Sequence, residues 1–328
     1  MEEKYKLSFI IPMYNAEKYI GNCLDSILNS DLPQDQYEVL VIDDGSEDKG
    51  TEIALNYVDK YCNISYLVQE NQGQSTARNN GIKQSQGEYI WCVDSDDKLD
   101  SKQLQRVFGI LNDNENLDIL GVQLQRVTEE GGILGKECSQ PTVTHNQVLS
   151  GRDAIIKGYN PSSICALIVK RELILDNNIF FVKGITHQDV ELTYRLMPRA
   201  NKVLFTDIVP YIYINHPNST SKSLDPQKKI KYVKDDIYII NSFKALSDYY
   251  ASSDPLLSKV IFNRSQNVLF SLICSLFKNK KRWKSIGVNS IVLEELKREK
   301  MYPLKGEFDS WKKRIISRLV FNKEEFFL

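Results

Sequence analysis

Three carboxylates fall within four residues at Asp94-Ser95-Asp96-Asp97, and a second pair stands at Asp43-Asp44. Carboxylates this close repel one another unless a cation compensates them. A hard divalent ion, Mg2+ or Mn2+, held by one or two of them with substrate phosphates completing its shell, is the chemistry that suits this spacing. Two acidic clusters on one crevice suit a nucleotide diphosphate: one reads base and ribose hydroxyls, the other carries metal and phosphates. A solvated acidic turn or a helix cap has the same composition. What separates these readings is where the elements put the clusters.

Both clusters close a strand pattern. Leu7-Ser-Phe-Ile-Ile11, Tyr37-Glu-Val-Leu-Val-Ile42, Ile64-Ser-Tyr-Leu-Val68 and Tyr89-Ile-Trp-Cys-Val93 read as buried strands. Between them run helix patterns. The first is capped by Asn15, with Tyr19, Ile20, Cys23, Leu24, Ile27 and Leu28 at 3-4 spacing. The second carries Ile53, Ala54, Tyr57, Val58 and Tyr61, and a third covers about 74–84. Such alternation predicts a mostly parallel α/β sheet with right-handed crossovers. Ligands bind such sheets beyond the carboxyl ends of the strands, which is where both acidic clusters lie. Further on, the pattern predicts helices near 102–111, 151–159, 170–177 and 189–197, and a strand near 118–127. From about Pro226 it is almost wholly helical, which divides the chain into 1–224 and 225–328.

Other nucleotide frameworks are absent. No G-x-G-x-x-G follows the first strand and no G-x-x-x-x-G-K-[ST] occurs. The turn Pro12-Met-Tyr-Asn15 instead offers a ring suited to a flat base. In order, Phe9-Ile-Ile-Pro-Met-Tyr-Asn15, Val41-Ile-Asp-Asp-Gly-Ser46, Asn71-Gln-Gly-Gln-Ser-Thr-Ala-Arg-Asn79-Asn-Gly81 and Val93-Asp-Ser-Asp-Asp97 resemble the motifs of family 2 glycosyltransferases. The resemblance covers roughly residues 7–216. It implies a GT-A fold, a metal-dependent nucleotide-sugar site and inversion at the anomeric carbon.

By that resemblance Pro12, Tyr14 and Asp44, with Asp43 nearby, line the base pocket, and Asn15 and Ser95 belong to the same nucleotide-sugar site. Arg78 approaches the donor's diphosphate or sugar. Asp94 touches ribose or sugar hydroxyls and shares the metal with Asp96, its principal ligand. Inverting transfer also needs a base beside the acceptor hydroxyl, and a carboxylate suffices if the proton moves late. The segment Gly184-Ile-Thr-His-Gln-Asp-Val-Glu-Leu-Thr-Tyr-Arg195 resembles the acidic-pair motif that carries this base, with Asp189 in its position. The departure is Gln188, where the family usually has an acidic residue. Without the family, Asp189 reads as a helix cap beside a surface Glu191–Arg195 pair. His187 neighbours the base within reach of acceptor or phosphate. His216 reads either as a solvated loop residue or as a further metal ligand.

Of the 328 residues 42% are hydrophobic and 26% charged, which excludes disordered and fibrous classes. The net charge of −1 conceals a split: residues 1–224 hold 21 basic against 31 acidic residues, and residues 225–328 hold 21 against 12. Basic clusters at 278–284 and 312–318 stand beside Trp and Phe. They suit either a helix on an anionic membrane surface or a solvated face of helices packed on the core. No nucleic-acid-binding motif accompanies them. The longest apolar stretch, 268–277, is about half a bilayer span, so neither a secretion signal nor a transmembrane helix is expected. Six scattered cysteines without C-x-x-C suit a reducing cytoplasm. The expected activity is transfer of one sugar from a nucleotide-diphospho-sugar, UDP first, to a glycan or lipid-linked acceptor in cell-surface polysaccharide synthesis. That places the enzyme in the cytoplasm or peripherally on the inner face of the membrane. A processive synthase is disfavoured, since Asn279-Lys-Lys-Arg-Trp283 lacks the Gln of Q-x-x-R-W. A sugar nucleotidyltransferase and a non-catalytic nucleotide-sugar-binding subunit are the alternatives.

Overall fold

The computed structural model describes residues 4–137, 145–161, 163–216, 225–278, 288–304, 308, 310–316, 318 and 322–323. Strand β1 (Tyr5–Met13) buries Leu7, Phe9, Ile10 and Ile11 completely and leads through α1 (Ile20–Leu28) to β2 (Tyr37–Asp43), buried along its whole length. Helix α2 (Gly50–Val58), β3 (Ile64–Val68), α3 (Gln74–Gln84) and β4 (Gly87–Cys92) follow. β1 lies parallel to β2 and β4, and β2 parallel to β3. This is the parallel half that the alternation predicts.

Two expectations change here. Helix α1 starts at Ile20, and Asn15 does not cap it. Asn15 takes a left-handed φ of 49° instead, a conformation Asn tolerates, and binds the loop after β2. Beyond β5 (Lys98–Leu99) and α4 (Ser101–Asp113), the single strand expected near 118–127 is two: β6 (Ile119–Gly121) and β7 (Leu124–Thr128). They belong to different sheets, because Val122 and Gln123 leave β6 to bond Ala166 and Ile208.

The chain continues through β8 (Ile133–Glu137), β9 (Val148–Leu149), α5 (Gly151–Ile156), β10 (Leu167–Lys170), α6 (Arg171–Asp176), α7 (Gln188–Leu196), β11 (Val203–Phe205) and β12 (Tyr211–Asn215). The main sheet has the order β3-β2-β1-β4-β10-β6-β11-β9. The inserted β10 runs antiparallel to both β4 and β6, so only part of this sheet is parallel. A small sheet, β5-β12-β7-β8, stands beside the end of β4. Its β12 pairs with β5 directly after Asp97.

Contacts divide the chain into two units, Met1–Gly184 with Gln188–Pro217, and Ile185–His187 with Asn218–Leu328. The second contains α8 (Pro226–Tyr250), α9 (Pro255–Lys278), α10 (Val288–Arg298) and α11 (Trp311–Ile316). It has its own core, to which the apolar run contributes Leu269, Phe270, Leu272 and Ile273. Within this unit Asp235 of α8 accepts bonds from the Thr186 amide and hydroxyl, and His187 Nδ1 faces Asp236 at 3.3 Å. The 278–284 cluster lies outside the described residues apart from the backbone of Lys278. No described helix is long and apolar enough to cross a membrane.

One glycine decides how closely α3 lies on the sheet. A Cβ on Gly81 would come within 2.5 Å of Ile10 Cγ2 and 3.2 Å of Ile42 Cγ1. Those β1 and β2 side chains are fixed in the core, so Gly81→Ala lifts the helix. We expect a cost of about 1–3 kcal/mol, the range for overpacking, measured as a lowered thermal midpoint. An unchanged midpoint contradicts this close contact.

Candidate active site

Helix α3 presents Gln74 and Arg78 one turn apart, on the same face. Arg78 is 2% exposed. Its Nη2 binds Asp94 Oδ1 at 2.6 Å, just after β4, and its Nη1 binds Asp189 Oδ1 at 3.2 Å, in the first turn of α7. The Phe181 ring lies 5.3 Å from the guanidinium. Burial alone lowers the basicity of such a group, but Asp94 and Asp189 outweigh it and hold Arg78 firmly charged. In this structure both terminal nitrogens of Arg78 bind carboxylates of the protein itself.

Asp189 does not cap its helix, because α7 begins one residue earlier at Gln188. Its Oδ2 accepts the Ile164 amide at 3.1 Å and the Ser163 hydroxyl at 3.4 Å. A carboxylate has about four lone-pair directions. Arg78, Ile164 and Ser163 take three, and the side chain keeps part of its surface in solvent. Glu191 and Arg195 do pair, but around a buried Glu191, and Arg195 also binds the Phe180 carbonyl.

The acidic turn after β4 has a division of labour. One ligand oxygen from each of Asp94, Asp96 and Asp97 lies within 4.8 Å of the others. Asp97 is buried and already used: its carboxylate accepts Tyr211 Oη at 2.7 Å and the Ile214 amide at 2.8 Å. The same Tyr211 hydroxyl accepts the Asp94 amide. Burial, with Asp94 and Asp96 alongside, pushes the Asp97 carboxyl up to about 8. Burial and then Asp94 raise Asp96 as well. Asp96 nevertheless keeps 48% of its side-chain surface, and its Oδ2 lies 3.8 Å from His216 Nε2. His216 is oriented by Glu129 on its Nδ1 at 2.5 Å and by the Tyr19 ring. Carboxylates raised by burial and by one another, with one open carboxylate facing an oriented imidazole, fit a hard divalent cation. Asp96 and Asp94 are its natural ligands, His216 stands within reach, and Asp97 fixes the turn.

Beside Asp96 opens a cleft of about 230 Å³, lined by Pro12, Tyr14, Asn15, Asp44, Ser95 and Asp96 among others. The structure thus gathers six of the predicted residues and adds Tyr19 and Gln74. Tyr14 is half exposed and offers its ring to the cleft. Asp44 lines the wall while its carboxylate accepts Gln69 Nε2 and the Gln72 and Gly73 amides. Asp43 is not at the cleft. It is buried under bonds from Ser46, Thr51 and Tyr66, which keep its carboxyl low although burial opposes them. In this structure it staples its own loop, next to Asp44 at the cleft wall. The motifs give Gln74 no role, and the sequence leaves His216 two readings, a solvated loop residue or a further metal ligand. The helical i,i+4 relation to Arg78 was the available signal for Gln74, whereas for His216 only the pairing of β12 with β5 brings it to Asp96.

Residues 8–156 match the model of glycosyl transferase family 2. The chain is 29% identical over 256 residues to the uncharacterized glycosyltransferase YibD of Escherichia coli, covering 76% of this chain and 74% of YibD. It is 29% identical over 210 residues to the poly(ribitol-phosphate) beta-N-acetylglucosaminyltransferase TarS of Staphylococcus aureus, covering 63% of this chain but only 35% of TarS. The structure of TarS 1–349 in complex with UDP-GlcNAc matches with a TM-score of 0.60 at 20% identity, over 90% of this chain and 93% of that one. The mannosyltransferase PcManGT of Pyrobaculum calidifontis, in complex with GDP-Man and Mn2+, matches with a TM-score of 0.51 at 14% identity, over 99% and 86%. The ordered motifs thus lie within the stretch that matches glycosyl transferase family 2, on a sheet with a GT-A-like arrangement.

Proposed function

We propose that this protein transfers one sugar, with inversion, from a UDP-sugar to a hydroxyl of a glycan or lipid-linked glycan. The observation that carries the reading is the bridge of Arg78 between Asp94 and Asp189, which ties a cation-binding turn to a partly solvated carboxylate. Asp96 and Asp94 would hold a Mg2+ or Mn2+, which would supply neutralising charge for the leaving diphosphate. The remaining work falls to side chains. Tyr14 and Asp44 receive the base end of the donor, Asp96 and Asp94 hold the cation, and Asp189 takes the acceptor proton on its remaining lone pair. UDP is favoured as the nucleotide by the likeness to TarS, whose structure contains UDP-GlcNAc.

A peripheral place on the inner membrane face belongs to the same proposal. Helix α11 exposes Trp311 to 65%, with Ile315 and Ile316 also exposed, around Lys312, Lys313 and Arg314. An apolar edge among cations suits an anionic lipid surface. By contrast, Leu269, Phe270, Leu272 and Ile273 of the run at 268–277 belong to the unit's own core.

Three measurements test this reading. Asp189→Asn lowers kcat by about a hundredfold or more, the scale of general-base removal, while calorimetry shows UDP affinity in Mg2+ or Mn2+ retained; full residual activity sinks the base assignment. Asp96→Asn weakens metal-dependent UDP binding, and a chelator then has little further effect; unchanged affinity refutes the ligand role. On anionic vesicles at low salt the wild type floats and Trp311→Ala with Ile315→Ala does not; flotation of neither removes the membrane partner, and equal flotation of both removes α11 as its contact.

A further inference from the structure

The start of α3 meets the start of α7 through uncharged groups as well as through Arg78. Ser75 Oγ donates to Gln188 Oε1. Gln188 Nε2 donates to Gln74 Oε1 at 3.0 Å, and Gln74 Nε2 donates to Asp94 Oδ1 at 3.0 Å. Arg78 binds that same oxygen from within. Two routes therefore leave neighbouring residues of α7 and end on one atom. The inner runs Asp189–Arg78–Asp94 and is charged and buried. The outer runs Gln188–Gln74–Asp94, and Gln74 on it faces the cleft. The peptide bond between 188 and 189 closes the ring.

The direction of the outer route matters. Hydroxyl and amide donors point head to tail, with the last N–H on a carboxylate, so each bond polarises the next. A charged carboxylate at 188 has no proton to donate to Gln74 Oε1, and it adds a third negative charge beside a single guanidinium. The ring holds only with a neutral donor at this position.

We propose that Gln74 and Gln188 are positioning residues for sugar transfer, fixing the separation of Asp94 and Asp189 from the solvent side while Arg78 fixes it from the core. They set the rate of the chemical step, and Gln188, which is not among the residues lining the cleft, does so without changing donor affinity. This rests on the transfer reading above. Misplacement by about 1 Å costs up to roughly a hundredfold in rate, so opening the ring is expected to lower kcat about ten- to a hundredfold.

The test compares the full-length wild type with Gln74→Leu, Gln188→Leu, the double variant and Gln188→Glu. UDP affinity in Mg2+ or Mn2+ reports an intact fold and donor site. Each leucine variant should lose kcat, Gln188→Leu with nearly unchanged UDP affinity, and the double variant should have a kcat little below either, because both changes open one ring. The ratio of Gln188→Glu to wild-type kcat should be low at pH 8 and rise as pH falls through the carboxyl range, since a protonated Glu donates again, while the loss that protonation of Asp189 causes is common to both. A merely structural contact predicts no such recovery. Wild-type kcat in Gln188→Glu at every pH, or fully additive losses in the double variant, overturns the proposal. Loss of UDP binding in both leucine variants overturns it too, by making the pair part of the donor site. A wild type that binds UDP but neither transfers nor hydrolyses any sugar from UDP-, GDP- or dTDP-sugars sinks the function reading, and the positioning role goes with it. Turnover with unaffected variants sinks the positioning role alone.

Discussion

A guanidinium buried between two carboxylates is the constraint to which the rest of the first unit conforms. Removing an ion from water costs several kcal/mol, and only close, well-directed partners offset it. Arg78 therefore fixes several things together. α3 must lie close to β1 and β2, which Gly81 allows; Asp94 must leave β4 at the right height; Asp189 must face inward from α7. Phe181 covers the guanidinium, and its backbone bonds both polar ends of the Asn79 side chain, one residue along α3 from Arg78. The arrangement uses the charge of Arg78 internally, so the carboxylates at the site are also structural members of the fold. That is why Asp189, bound to Ile164 and Ser163 as well, is more firmly held than a surface carboxylate.

The same economy recurs at both strand ends. Of the adjacent carboxylates Asp96 and Asp97, one faces solvent and the other builds the turn, through a Tyr211 hydroxyl that also receives the Asp94 amide. At the end of β2, Asp43 closes its own loop, and Asp44 gathers the 69–73 segment while remaining at the cleft wall. Density of acid in the sequence is thus no count of ligands. A carboxylate next to another is costly, and one way to retain it is to surround it with donors that are needed there anyway.

What the chain discloses before folding follows from which signals are local. Buried β-branched runs with helix-spaced stretches between them define β1 to β4 and α1 to α3, and the acidic clusters follow because they end those runs. β10 was not foreseen: Leu167-Ile-Val169 is too short to separate from other apolar triplets, and its antiparallel insertion depends on partners far away in sequence. Asn15 was misread because the chemistry that makes Asn a good cap also suits it to a left-handed turn. Arg78 was legible as a residue and illegible as a role. A motif fixes its place in α3, while its burial is decided by Asp189, more than a hundred positions later.

Inversion places a further demand on such a site. In-line displacement at one carbon asks for the leaving group on one side and the incoming hydroxyl on the other, so the cation and the base must be held apart. A single flexible ammonium would let both carboxylates collapse onto one point charge. The planar guanidinium assigns them to different nitrogens, Asp94 to Nη2 and Asp189 to Nη1, and its rigidity makes their separation a property of the side chain itself. On the Asp94 side the turn continues to Asp96 and His216, where a diphosphate and its cation belong. On the Asp189 side the carboxylate rests on Ile164 and Ser163, away from that charge. Lysine at 78 would preserve the charge and lose the spacing, so here geometry, rather than net charge, is what the arginine contributes.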